Sequence, residues 1–164
     1  MNSSLNQIKF KCVFSDIDGV LTDSGKTYDL NGNVISKSFC DKDFTAINLF
    51  RKAGLRVIFV SADDRVNKAL AESKKIEFLH SLHDSKLALI SKFLMENSIA
   101  RNEVIYVGDD LPDVECFEAL PYSFCPSDAI GFIRERAFVV LERAGGKGCL
   151  MEIYELLDKG GIPE

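Results

Sequence analysis

The sequence predicts an α/β fold, a doubly wound parallel sheet with a small β-hairpin insertion. Three observations predict it. Apolar runs of about five residues alternate with longer segments of helical period, the pattern of a βαβ chain. Acidic and hydroxyl residues follow the apolar runs, at the carboxyl ends of strands, where ligands bind in parallel sheets. One segment breaks the alternation around Asn31-Gly32, the strongest short hairpin signal.

The elements are read in order. An apolar first strand, Lys9 to Ser15, ends at Asp16 and Asp18. Lys26 to Phe39 carries two strand-like runs flanking Asn31-Gly32 and is expected to project beside the end of that strand. A helix from Phe44 to Ala53 sets Phe44, Ile47 and Phe50 on one face and is closed by Gly54. The strand Arg56 to Val60 leads into Ser61, and the helix Arg65 to Ser73 follows. Next come the strand Glu77 to Leu79 and the helix Ser85 to Asn97, with Lys86 in its first turn. The strand Glu103 to Val107 ends at Gly108, Asp109 and Asp110, and Pro112 opens a helix to Ala119 that carries Asp113. The strands Tyr122 to Cys125 and Phe138 to Leu141 flank a helix from Ile130 to Arg136, and a last helix runs from Cys149 to Asp158. The closing KGGIPE is expected to fray.

The 164 residues suffice for one buried core and are read as a single domain, 1–164. A hydrophobic fraction of 46% and a charged fraction of 27% exclude disordered, collagen-like and membrane-spanning classes. The formal charge of -5 argues against a nucleic-acid or anionic-lipid partner, so an anionic substrate needs a local positive device. MNSSLNQIKFK lacks the apolar core of a signal peptide, which makes the cytoplasm the expected location. Five cysteines without a CxxC pair suggest free thiols rather than a disulfide framework or zinc site.

Singly, each rim residue has a structural explanation. Asp16 to Asp18 could form a turn with Gly19, Ser61 could cap a helix, and Asp109 or Asp110 could cap the helix that Pro112 opens. Together they ask for more. Carboxylates at two strand ends repel by roughly 4 kcal/mol per close pair at an effective dielectric of ~20. The cluster therefore needs a cation, and Lys86 and a hard metal are the candidates. All-oxygen donors suit Mg2+ better than zinc or copper. An EF-hand is excluded, because Gly19 falls at the wrong loop position and Val20 replaces a ligand. His80 and His83, near Lys86, read as surface or helix-entry residues.

DIDGVLTD, a strand ending in Ser61, Lys86 and GDDLPD, in this order, resemble the four motifs of haloacid-dehalogenase-type (HAD) phosphatases. The NGNVISKSFCDKDFTAINLFRKAG segment and the late AGGKG loop extend the resemblance over nearly the whole chain. They are most similar to the small capless branch that includes phosphatases of 3-deoxy-manno-octulosonate (KDO) 8-phosphate and of nonulosonate 9-phosphates, and the phosphatase-like domain of sialic acid cytidylyltransferases. The resemblance implies a Rossmann-like HAD core. The hairpin and one helix use up the interval from Asp18 to Ser61, leaving no room for a cap domain.

By resemblance, Asp16 is the nucleophile and Asp18 the proton shuttle of an Mg2+-dependent phosphomonoesterase. Asp16, Asp109 and the backbone carbonyl of Asp18 would hold the metal, and Ser61 and Lys86 the phosphoryl oxygens. Asp113 would orient the metal ligands or Lys86, with Asp110 beside it. Ala62 and Asp63 stand where many relatives carry Gly and then Arg or Glu, facing substrate. Lys42, before Asp43, is read as a contact to phosphate or carboxylate. Relatives assemble as homotetramers through their hairpins, and a neighbour's glycine-rich loop, here Gly145, Gly146, Lys147 and Gly148, helps close the site. On sequence alone that loop reads equally as a flexible helix start, and it is not a Walker loop. The expected substrate is a KDO 8-phosphate-like sugar acid. The alternatives are a nonulosonate 9-phosphate or a catalytically silent oligomerisation module. A receiver-type phosphoacceptor fits worse, because here the paired acids follow the first strand.

Overall fold

A computed structural model of the chain describes residues 10–160. Strand β1 (Cys12–Ser15) is followed by the short strands β2 (Thr27–Tyr28) and β3 (Val34–Ser36). Then come α1 (Asp41–Lys52), β4 (Arg56–Ser61), α2 (Val66–Ser73), β5 (Glu77–His80) and α3 (Lys86–Glu96). The chain continues through β6 (Val104–Val107), α4 (Val114–Ala119), β7 (Ser123–Cys125), α5 (Gly131–Arg134), β8 (Val139–Val140) and α6 (Cys149–Asp158). Two 3-10 turns, Arg101–Glu103 and Leu111–Asp113, precede β6 and α4. Lys9, the expected start of the first strand, lies outside the described residues, as do residues 1–8 and the expected fraying beyond residue 160.

Six strands form one parallel sheet in the order β5-β4-β1-β6-β7-β8. The chain fills one side of β1 with β4 and β5, then returns to fill the other with β6, β7 and β8. That reversal opens a crevice at the carboxyl end of β1.

Alternation along the strands divides the core between the two faces. Val13, Val57, Phe59 and Ile105 pack with Ile47 and Phe50 of α1 and Leu150, Ile153 and Leu157 of α6. Cys12, Phe14, Ile58, Val60 and Tyr106 pack with Ile90, Phe93 and Leu94 of α3, Phe117 of α4 and Ile133 of α5. The inner strands β1, β4, β6 and β7 are buried on both sides, which explains their apolar runs.

The hairpin forms as expected. β2 and β3 pair antiparallel, and the turn places Gly32 at φ 79° with Asp29 Oδ1 accepting from the amides of Asn31 and Asn33. Gly54, at φ 87°, ends α1 as expected. Three helices differ in extent from the reading, α5 being shortened to Gly131–Arg134. α1 begins at Asp41, with Asp41 and Asp43 in its first turn where the macrodipole favours acids. The helix expected from Pro112 opens instead as the 3-10 turn Leu111–Asp113, because Asp110 caps it through the amide of Leu111. Among the described residues no helix is long and apolar enough to cross a membrane.

Candidate active site

β1 delivers Asp16 and its neighbour β6 delivers Asp109, so the two acids emerge side by side at the crevice. Asp113 reaches the same point from the turn before α4. One oxygen of each of Asp16, Asp109 and Asp113 lies within 4.8 Å of the others. Gly19 makes the approach possible: a Cβ there would sit 1.9 Å from Asp109 Oδ2, and its φ of +81° suits glycine.

Lys86 enters this cluster from the first turn of α3, whose N-cap Ser85 accepts from the amide of Ala88. Its Nζ lies 2.6 Å from Asp16 Oδ2 and 2.6 Å from Asp113 Oδ1. Burial works against the ammonium, but the two carboxylates outweigh it and hold its pKa above the ordinary lysine value.

Asp113 is fully buried and saturated. Oδ1 accepts from Lys86 and the Tyr106 hydroxyl, and Oδ2 from the amides of Asp109 and Asp110. Asp16 Oδ1 accepts from the amide of Ile17 at 2.6 Å. Burial pushes Asp16 up to about 7, with Lys86 opposing and Asp113 adding to the rise. Burial, then Asp16, Asp113 and Asp110, push Asp109 up to about 8. One lysine thus leaves the acids under-neutralised. The donor set is all oxygen, and Asp113 already has its partners, so Asp16 and Asp109 fit a hard divalent ion.

Asp16 and Asp109 line a cleft of about 860 Å³ shared by Asp18, Ser61, Ala62, Asp63, Lys86 and Asp110, with Lys26 and Val34 from the hairpin segment. Ser61 is 3% exposed, and its Oγ accepts from Asn67 Nδ2 and the amide of Asp63. Asp63 Oδ1 caps α2 through the amides of Arg65 and Val66. His80 contacts the carbonyl of Ala62 at 3.2 Å, as suits a surface histidine.

Other expected residues lie elsewhere. Lys42 is exposed on α1, its stem against Gly148, and does not line the cleft. Gly145 and Gly146 pack against the loop that follows β1 of their own chain. A Cβ on Gly145 would meet Gly19 O at 2.2 Å, and the Gly146 amide donates to Val20 O at 2.9 Å. Asp18 is absent from the carboxylate cluster, since its side chain turns toward Lys37 and Asn67. These two residues, and the Tyr106 hydroxyl, were not singled out in the sequence. The cysteines are free, and burial pushes Cys12 up to about 11 and Cys116 and Cys125 to about 12, leaving them protonated.

A doubly wound sheet with strand-end aspartates, a hydroxyl and a buried lysine around one crevice defines a hydrolase of the HAD class. The 3-deoxy-D-manno-octulosonate 8-phosphate phosphatase KdsC of Haemophilus influenzae is 32% identical over 96% of this chain and 86% of its own length. The chain belongs to the KdsC phosphatase family. The cobalt-bound form of the Haemophilus influenzae phosphatase superposes with a TM-score of 0.85 at 28% identity, covering 96% of this chain and 91% of that one. The Moraxella catarrhalis phosphatase, in complex with magnesium ion, phosphate ion and KDO, has a TM-score of 0.85 at 21% identity, covering 95% and 90%, a likeness of fold. No family model matches the chain.

Proposed function

We propose that the chain, as one domain, hydrolyses KDO 8-phosphate with Mg2+ through a phosphoryl group carried on Asp16. The observation that carries this reading is the meeting of Asp16, Asp109 and Asp113, with the Lys86 ammonium bonded to Asp16 and Asp113. Membership of the KdsC family and the metal-bound relative support it.

Asp16 attacks phosphorus, the bond from phosphorus to the sugar oxygen breaks, and Asp18 gives its proton to that oxygen. Water then attacks the aspartyl-phosphate and passes a proton to Asp18, releasing phosphate and regenerating Asp16. Ser61 and Lys86 hold the phosphoryl oxygens, while Asp113 fixes Lys86 and the amide of Asp109. Asp16, Asp109 and the carbonyl of Asp18 would hold Mg2+, which would supply positive charge where the phosphate dianion meets a carboxylate.

The cleft is open, and a neighbouring subunit completes it. Tyr28, Leu30 and Ile35 expose 56%, 106% and 60% of their surface along the hairpin, which supports a homotetramer built through this element. In that assembly Gly145 to Gly148 of a neighbour would border the cleft. Such an enzyme would act in the cytoplasm.

Phosphate release tests the reading. With Mg2+, wild type is expected to turn over KDO 8-phosphate in preference to a nonulosonate 9-phosphate, and Asp16→Asn to lose at least about a thousandfold in kcat. Chelation should abolish release and added Mg2+ restore it. A wild type that releases no phosphate from any sugar-acid phosphate points to the silent assembly module.

A further inference from the structure

We propose that Lys37 is a positioning residue for Asp18, clamping its carboxylate for proton transfer through a buried node shared with Asn67 and Asp63. The proposal rests on the role given to Asp18 above.

Lys37 follows β3 at the foot of the hairpin, and its side chain is 0% exposed. An ammonium has three protons to donate. Here they meet Asp18 Oδ2 at 2.9 Å, Asp63 Oδ2 at 2.6 Å and Asn67 Oδ1 at 2.9 Å. Burying a lysine head is costly unless carboxylates compensate it.

Asn67 completes the clamp. It is fully buried, and its Nδ2 donates to Asp18 Oδ2 at 3.0 Å and Ser61 Oγ at 2.9 Å. Turning the amide over would aim its hydrogens at the Lys37 ammonium, so the network fixes its orientation. Asp18 Oδ2 therefore takes two donors. Oδ1 also lies 2.9 Å from Lys37 Nζ but is buried and accepts no hydrogen bond. Through Ser61, the same amide ties the proton carrier to the phosphoryl grip.

A purely structural Lys37, pinning the hairpin to α2, would matter equally for every substrate. A positioning Lys37 matters only where the leaving oxygen needs a proton. The sugar alkoxide of KDO 8-phosphate needs one, and the nitrophenolate of p-nitrophenyl phosphate does not. The ratio kcat/KM reports the steps through formation of the aspartyl-phosphate and isolates that difference.

Wild type and Lys37→Met are compared on both substrates with saturating Mg2+. The expected result is a loss of about 10- to 100-fold in kcat/KM on KDO 8-phosphate, part of the contribution of a positioned acid, and less than about threefold on p-nitrophenyl phosphate. Equal losses on both substrates, or no loss on the sugar phosphate, overturn the role of Lys37 while an active wild type leaves the phosphatase reading standing. A wild type inactive on both overturns the two together. Should Lys37→Met fail to fold, Lys37→Gln, which removes the ammonium but keeps a polar head, is expected to show the same substrate-selective loss, and a uniform one overturns the proposal.

Discussion

Asp43 ties the first turn of α1 to the start of α6. It is 1% exposed, its Oδ1 accepts from the amide of Leu150 at 2.8 Å, and its Oδ2 is buried without a partner. Burial raises its pKa from 3.8 to about 6, against the opposing amides of Leu150, Met151 and Gly148. Between about pH 4 and 6 the folded chain keeps this proton while the unfolded chain has lost it, so stability falls as pH rises through that window. The fall from this group is about 3 kcal/mol. Urea denaturation of wild type and Asp43→Asn at a series of pH values isolates it. The variant is expected to gain on wild type from pH 4 to 6, whereas a constant difference would show that Asp43 does not titrate there.

At the same scale, the acids Asp16, Asp109 and Asp113 and the lysine Lys86 were legible because each directly follows a strand or opens a helix. Lys37 and Asn67 were not. Neither adjoins a strand end of the main sheet, and only the docking of the hairpin brings them to Asp18. Lys42 is read as a contact to phosphate or carboxylate from the resemblance alone, as a basic residue before Asp43. With the helix starting at Asp41, Lys42 lies on its exposed face. Tyr106 sits within an apolar strand, where nothing in the pattern signals that its hydroxyl serves Asp113.

Among the elements, strands and helices were legible through their apolar periodicity, and their ends moved by a few residues where caps decide them. The hairpin is the element with a use still to test. Its Asn31-Gly32 turn was readable, and its outward Tyr28, Leu30 and Ile35 find no cover within the described residues. Light scattering on wild type is expected to give a tetramer, and Leu30→Asp with Tyr28→Asp to give smaller species with a weaker activity per chain. A monomeric wild type would contradict assembly through the hairpin.

For the whole molecule, topology does what no single motif can. Distant stretches of a net acidic chain meet because β1 and β6 are neighbours and α3 points its first turn between them. The reversal of strand order concentrates acid at the crevice, and Lys86 with a divalent ion makes that charge tolerable. The most direct measurement is rapid acid quench of wild type turning over phosphorus-labelled KDO 8-phosphate with Mg2+, followed by peptide mapping. Label is expected on the peptide that carries Asp16, rising and decaying with turnover, and absent from Asp16→Asn. Full-rate phosphate release with no label on that peptide would contradict the nucleophilic role of Asp16.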